Sequence, residues 1–177
     1  MYALLFLTQA LFNLLALVFI LRLFLYAARA DFYNPLSQFV YRVTNPVVGP
    51  LRQVIPNLGM VELSTLLVIV AVQALGMTVS TMLQGALPAP GPLLIAAVLE
   101  TVRSTLGFLV FALIVNAIMS WVPGMAGHPV SRLLGQVCEP VLRPIRGVLP
   151  PIGGLDLSPL VAILLLQAVL IQLNHMV

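Results

Sequence analysis

Few residues in this chain are equipped for chemistry. Gln73 and Gln167 lie inside otherwise apolar segments, 94 positions apart, and each follows a serine, Ser64 or Ser158, by nine residues. Nine residues of helix rise about 14 Å, so both amides belong near the middle of a membrane span. Two uses are open to such a pair: a polar constriction for water or a small cation, or interhelical hydrogen bonds that lock a bundle, the commoner device. Glu100 and Arg103 stand three apart, the spacing of a helical ion pair. Their counterparts 94 positions earlier, Phe6 and Gln9, are uncharged, which favours a structural pair over proton or ion handling. His128 precedes Pro129 and reads as a helix-start residue. His175 lies near the far end, and two histidines so distant in sequence, with no cysteine pair, make a poor metal site. No His-Glu-x-x-His, Gly-x-Ser-x-Gly or phosphate-binding glycine loop is present. The expectation is a non-enzyme with no catalytic residue, no cofactor and no metal.

What positions these residues is a repeat. Asn45-Pro46-Val47-Val48-Gly49-Pro50-Leu51-Arg52-Gln53-Val54-Ile55-Pro56 returns 94 positions later as Glu139-Pro140-Val141-Leu142-Arg143-Pro144-Ile145-Arg146-Gly147-Val148-Leu149-Pro150. Residues 34–75 align with 128–169 without a gap, and 16 of the 42 pairs are identical. Glu62 and Asp156 match in charge, Thr44 pairs with Cys138, and Gly59 pairs with Gly153. Repeat one covers about 1–85, a linker 86–92, and repeat two about 93–177, together forming a single membrane domain 1–177.

The medium is lipid. The 177 residues are 61% hydrophobic and 7% charged, against about 25% charged in soluble chains, and the apolar runs are long enough to span a bilayer. Residues 1–28 resemble a signal peptide at Ala28-Arg29-Ala30. The apolar stretch is too long for one and starts without Lys or Arg, so it reads as a retained span. Arg22 near its far end is expected to reach the headgroups by its stem. The second span is 60–84, and the third runs from Arg103 at one interface to Trp121 in the opposite aromatic belt. The fourth is 157–177. The fold class is therefore all-α: four transmembrane helices in two parallel repeats.

Between the spans of each repeat lies a different kind of segment. Asn34-Pro35 is an N-cap and first-turn pair. Leu36, Phe39, Val40, Val43, Val47, Leu51 and Val54 then recur at helical spacing, as do Val130, Leu133, Leu134, Val137, Val141, Ile145 and Val148. Pro46 and Pro50, with Pro140 and Pro144 in the second copy, each remove an amide donor. Two short amphipathic helices broken at the proline, a hairpin lying in the interface with its apolar side toward acyl chains, are predicted in each repeat.

Charge sets orientation. All eight cations are arginines, against five acids, for a net +3. Arg29, Arg42 and Arg52 fall in the first connection and Arg132, Arg143 and Arg146 in the third, whereas the middle turn and both tails have none. The positive-inside rule places both proline-rich connections in the cytoplasm and both termini in the periplasm. Guanidinium groups bind phosphate and carboxylate bidentately. Arg42, Arg52, Arg132, Arg143 and Arg146 are therefore the candidate contacts to anionic lipid headgroups or to other integral membrane proteins. A second copy of the chain is a further candidate partner, and no nucleic-acid contact is expected.

Asp31-Phe32-Tyr33-Asn34-Pro35-Leu36-Ser37-Gln38-Phe39, the segment Pro46 to Pro56, and Met119-Ser120-Trp121 ahead of Leu142-Arg143-Pro144-Ile145-Arg146 resemble the YggT family, called YlmG in other lineages. The resemblance covers essentially the whole chain and is to the two-repeat proteobacterial type. It implies a multi-pass protein of the bacterial inner membrane. Among relatives, it points to roles in osmotic tolerance and potassium uptake, in cell division, or in assembly of plastid cytochrome complexes, with no catalytic residues to carry over. The expected function is a non-enzymatic scaffold or assembly factor for membrane complexes. The alternative is a component of potassium or osmolyte movement.

Overall fold

The structure is a computed structural model and describes all residues except 32, 123, 150–155, 176 and 177. Its elements are α1 (Tyr2–Ala27), α2 (Pro35–Arg52), α3 (Leu63–Leu83), α4 (Pro90–Trp121), a 3-10 turn (Met125–Gly127), α5 (Pro129–Val148) and α6 (Ser158–Asn174). Among the described residues the one departure from helix and loop is a bridge between Leu58 and Val61, closed by Gly59 at φ +56, a conformation that favours glycine. Its counterpart, Gly153, lies outside the described residues, as does Pro150. The helix map repeats at the offset of the sequence: Ala27 ends α1 as Trp121 ends α4, and Pro35 opens α2 as Pro129 opens α5.

By length and composition, α1, α3 and α4 can each cross a membrane. The fourth apolar helix, α6, has 17 residues. At 1.5 Å per residue that is about 26 Å, a little under a typical hydrocarbon core. The final two residues of the predicted span, 176 and 177, lie outside the described residues.

The broken hairpins are a correction. Both α2 and α5 run as single helices through Pro46 and Pro50, and through Pro140 and Pro144. A proline deprives the carbonyl four residues earlier of its donor, and spacing of four places both losses on one side of the helix. All four prolines are exposed, so the carbonyls left without helix donors face outward, where water or headgroups can satisfy them. The opposite side of α2 is anchored through buried Ser37, Val40, Thr44 and Val48.

Packing divides the chain into two compact units. The first takes Met1–Leu23 and Val40–Thr105, with Phe19, Ile20, Val48, Ile69 and Val72 in its core. Here α1 and α3 approach so closely that a Cβ added to Gly76 would stand 2.9 Å from Phe12. The second takes Phe24–Phe39 and Leu106–Val177. Leu25, Leu113, Leu133, Val137 and Leu142 are buried in it, and the Phe24 and Phe108 rings pack with centroids 5.3 Å apart.

The two amphipathic helices differ in what they cover. In α2, Phe39, Val43 and Val47 are exposed. Their α5 counterparts are not: Leu133 is 5% and Val137 2% exposed, in the helix that packs on α6. Of the expected stripe, Leu36, Phe39, Val43, Val47 and Leu51 are uncovered on α2 and Val40 is buried, while on α5 Leu133 and Val137 are used for protein packing.

Candidate functional site

The first unit is built around a buried charge cluster. Arg22, on the last turns of α1, has no exposed surface. Its Nε donates to Glu62 Oε2 at 2.8 Å and its Nη2 to Glu62 Oε1 at 2.9 Å, the bidentate fork of a strong arginine–carboxylate pair. Nη1 donates to Thr44 Oγ1 at 2.9 Å and to Asn45 Oδ1 at 3.1 Å. Tyr41 stacks beneath the guanidinium, 4.9 Å from its ring centroid. Thr65 adds a hydroxyl donor to Glu62 Oε2, and Arg52 approaches Glu62 Oε1 at 3.8 Å. Arg22 thus ties α1 to α2 and to the residue that opens α3. It does not extend toward headgroups as its position suggested. The contacts at Thr44 and Asn45 also hold the residue before Pro46 helical, a conformation the following ring disfavours.

The second unit repeats the frame with different side chains. Asn116 stands where Arg22 does, and Gly135 where Tyr41 does, and they too are neighbours: a Cβ added to Gly135 would lie 3.9 Å from Asn116 Oδ1. With no arginine on α4 here, the acid that opens the next helix is bound by Arg146, the counterpart of Arg52. Arg146 donates to Asp156 Oδ2 at 2.9 Å and to Glu139 Oε2 at 2.8 Å. Cys138, in the place of Thr44, is buried. In both copies an arginine after the second proline faces the carboxylate ahead of the following apolar helix.

The electrostatics follow from the contacts. Burial works to raise the Glu62 carboxyl, but hydrogen bonds from Arg22 and Thr65, with the charges of Arg22 and Arg52, hold it below the usual carboxylate range. Burial also works to raise Asp156, and hydrogen bonding from Ser158 together with Arg146 holds it low. The Cys138 thiol is pushed up to about 12 by burial, which the nearby Arg146 only partly opposes.

The arginines singled out by sequence divide in two. Arg52 and Arg146 face the chain's own carboxylates. Arg42, Arg132 and Arg143 are exposed on α2 and α5. Gln73 is 4% exposed and donates from Nε2 to Ser104 Oγ at 3.1 Å, whereas Gln167 is exposed. Glu100 and Arg103 pair at 3.7 Å, and the Gln73–Ser104 bond sets that turn of α4 beside the middle of α3 rather than at an interface. The start signals hold: Asn34 Oδ1 accepts from the Leu36 amide at 3.0 Å, and His128 Nδ1 accepts from Val130. Among the described residues, no group of three or more His, Cys, Asp or Glu side chains could hold a metal.

The CCB3/YggT family pattern matches residues 1–83 and again residues 95–177. The two matches are offset by the same 94 positions that separate the halves of the sequence. The chain belongs to the CCB3/YggT family. Its YggT-type relatives include the uncharacterized protein YggT of Escherichia coli, 41% identical over 96% of this chain and 88% of its own length. An uncharacterized Pseudomonas aeruginosa protein is 39% identical over 94% and 86%. A chloroplastic YlmG homolog of Arabidopsis thaliana shares 43% identity over 32% of this chain and 22% of its own. No solved structure matches the chain at a significant level. Sequence reasoning overlooked the Arg22–Glu62 clamp in this YggT-family chain, although the charge match between Glu62 and Asp156 carried its signal.

Proposed function

We propose that the protein is a non-enzymatic scaffold of the bacterial inner membrane, an organising or assembly factor whose arginine-bearing surface helices hold anionic lipid and neighbouring membrane proteins. The observation that carries this reading is the division of the arginines. Arg22, Arg52 and Arg146 pair with Glu62, Glu139 and Asp156, fixing α2 and α5 to the apolar helices that follow them. Arg42, Arg132 and Arg143 stay exposed on the same two helices, and α2 also carries an uncovered apolar stripe. A fixed helix with an apolar side and outward guanidinium groups suits an anionic surface.

In this reading α1, α3, α4 and α6 all cross the membrane as two parallel repeats within one domain. An even number of crossings brings both termini to the periplasm and leaves α2 and α5 in the cytoplasm, as the arginine distribution requires. Cysteines introduced at Gly91 and His175 should then react with an impermeant thiol reagent in intact cells. Labelling only after permeabilisation contradicts the orientation.

The second reading is a component of potassium or osmolyte movement, consistent with an osmotic role. Polar groups within the spans favour it, but Gln73 is held by Ser104 and its counterpart Gln167 is exposed. Purified protein in potassium-loaded liposomes separates the two. The scaffold gives no flux above empty vesicles, and saturable flux supports the second reading.

A further inference from the structure

A polar cleft of about 420 Å³ opens in the first unit among α1, α3 and α4. Gln9 and Asn13 line it from α1, Gln73 and Ser80 from α3, Gln84 from just past the end of α3, and Glu100 from α4. Residues 73, 80 and 84 lie on one side of α3 by helical spacing, as 9 and 13 do on α1. The cleft lies toward the Leu83 end of α3, opposite the Arg22–Glu62 cluster. From Gln84 to Gln73 is about 16 Å at helical rise, roughly half a hydrocarbon core. At its floor Gln73 donates to Ser104, and Ser104 donates to Glu100 Oε1 at 3.3 Å.

Two independent observations indicate that the cleft is built for a ligand. Ser80 is 5% exposed, yet its hydroxyl has no hydrogen-bond partner. Thr78, Thr81, Thr101 and Thr105 bond the carbonyl one turn back, whereas Ser80, like Ser37, Ser64 and Ser158, does not; of these four serines Ser80 is the one that lines the cleft. The second observation is charge. Among the described residues, Glu100 is the one ionisable side chain lining the cleft, and no arginine lines it. Arg103 forms an ion pair with Glu100 Oε2 at 3.7 Å and Ser104 donates to Oε1; a carboxylate has about four acceptor sites, so others remain for the cleft. Carboxylate, amide and hydroxyl oxygens together call for a cation with several N–H donors. The volume suits a small organic molecule rather than a bare ion.

We propose that this cleft binds a ligand through a primary ammonium group, with Glu100 as its charge partner and the Ser80 hydroxyl and neighbouring amides as hydrogen-bonding groups. The inference is independent of the scaffold reading. A free small amine and the ethanolamine headgroup of a phospholipid carry the same chemistry, and the cleft extends to Gln84 at the end of α3.

The test uses full-length protein in phosphatidylcholine nanodiscs. Ethylammonium and tetramethylammonium binding are measured by calorimetry, and retention of added phosphatidylethanolamine by native mass spectrometry. Glu100→Gln should weaken binding more than tenfold by removing a charge-assisted contact, and Ser80→Ala by about fivefold by removing one hydrogen bond. Asn174→Ala, exposed at the end of α6, should bind as the parent does. Saturable ethylammonium binding with those losses supports a free amine. Phosphatidylethanolamine retention with those losses, without ethylammonium binding, supports the lipid. Should Glu100→Gln fail to fold, a folded Ser80→Ala variant decides the matter alone. The proposal is overturned if neither ammonium ligand binds, if tetramethylammonium binds as well as ethylammonium, or if folded variants bind like the parent.

Discussion

Arg22 and Glu62, forty positions apart, form a bidentate ion pair in which neither side chain is exposed. The pair joins the end of one apolar helix to the start of the next, with Thr44 and Asn45 of α2 held between them. In the second unit Asn116 of α4 stands in the place of Arg22 of α1, and Arg146 of α5 binds Asp156 instead. The same mechanical link, acid to surface helix, is thus made by two different arginines.

Breaking the buried pair from one side leaves an uncompensated charge. Arg22→Met or Glu62→Gln should each destabilise the protein by about 3–5 kcal/mol. The double change Arg22→Met, Glu62→Leu should cost much less than the sum. Unfolding in mixed micelles by denaturing-detergent titration measures all three, and additive costs would rule out the pairing.

Acid should release the clamps. Glu62 and Asp156 are both held below the usual carboxylate range, so each favours the folded state while ionised. That stability is fully present above the ordinary carboxylate pKa of about 4 and is lost as pH falls through the lower folded values. A pH series of unfolding midpoints should therefore be flat near neutrality and fall below about pH 4. Glu62→Gln should flatten the acid limb, and an unchanged limb in that variant removes Glu62 from the account.

Cys138 should be inert in the folded protein. It is buried and its thiol is pushed up to about 12, so almost no thiolate exists at pH 8. A maleimide should label it only after denaturation. Rapid labelling of native protein would mean that the side of α5 bearing Cys138 is not packed.

The sequence made much of this legible because the same pattern appears twice. The 94-residue offset, the apolar runs, and the start signals at Asn34-Pro35 and His128-Pro129 all have direct structural counterparts. The continuity of α2 and α5 was not legible. Proline propensity argues for a break, and in α2 what opposes it is tertiary: Arg22, far away in sequence, holds Thr44 and Asn45, while in both helices the prolines face outward. Arg22 itself was misjudged because a lone arginine near a helix end usually reaches headgroups, and its partner lies forty positions on. The covering of the α5 stripe was equally hidden, since Val43 and Val137 are the same residue at matched positions and only their surroundings differ.

That difference is measurable. Spin labels at Val43 and Val137 in bilayers should behave oppositely. Val43, 51% exposed, should be mobile and accessible to oxygen, and Val137, 2% exposed, immobilised and shielded from both oxygen and a polar relaxant. Matching accessibility at the two positions would show that α5 leaves its apolar stripe as uncovered as that of α2.

The central claim is that the exposed arginines of α2 and α5 hold lipid and partners, while the paired ones hold the fold. The most direct test is crosslinking in native membranes, with partner and lipid identification, of the triple variant Arg42→Ala, Arg132→Ala, Arg143→Ala. The account predicts unchanged abundance and unfolding midpoint with loss of the parent's crosslinked membrane proteins and co-purified anionic lipid. Crosslinks and lipid retained at parental levels in the folded triple variant would contradict it.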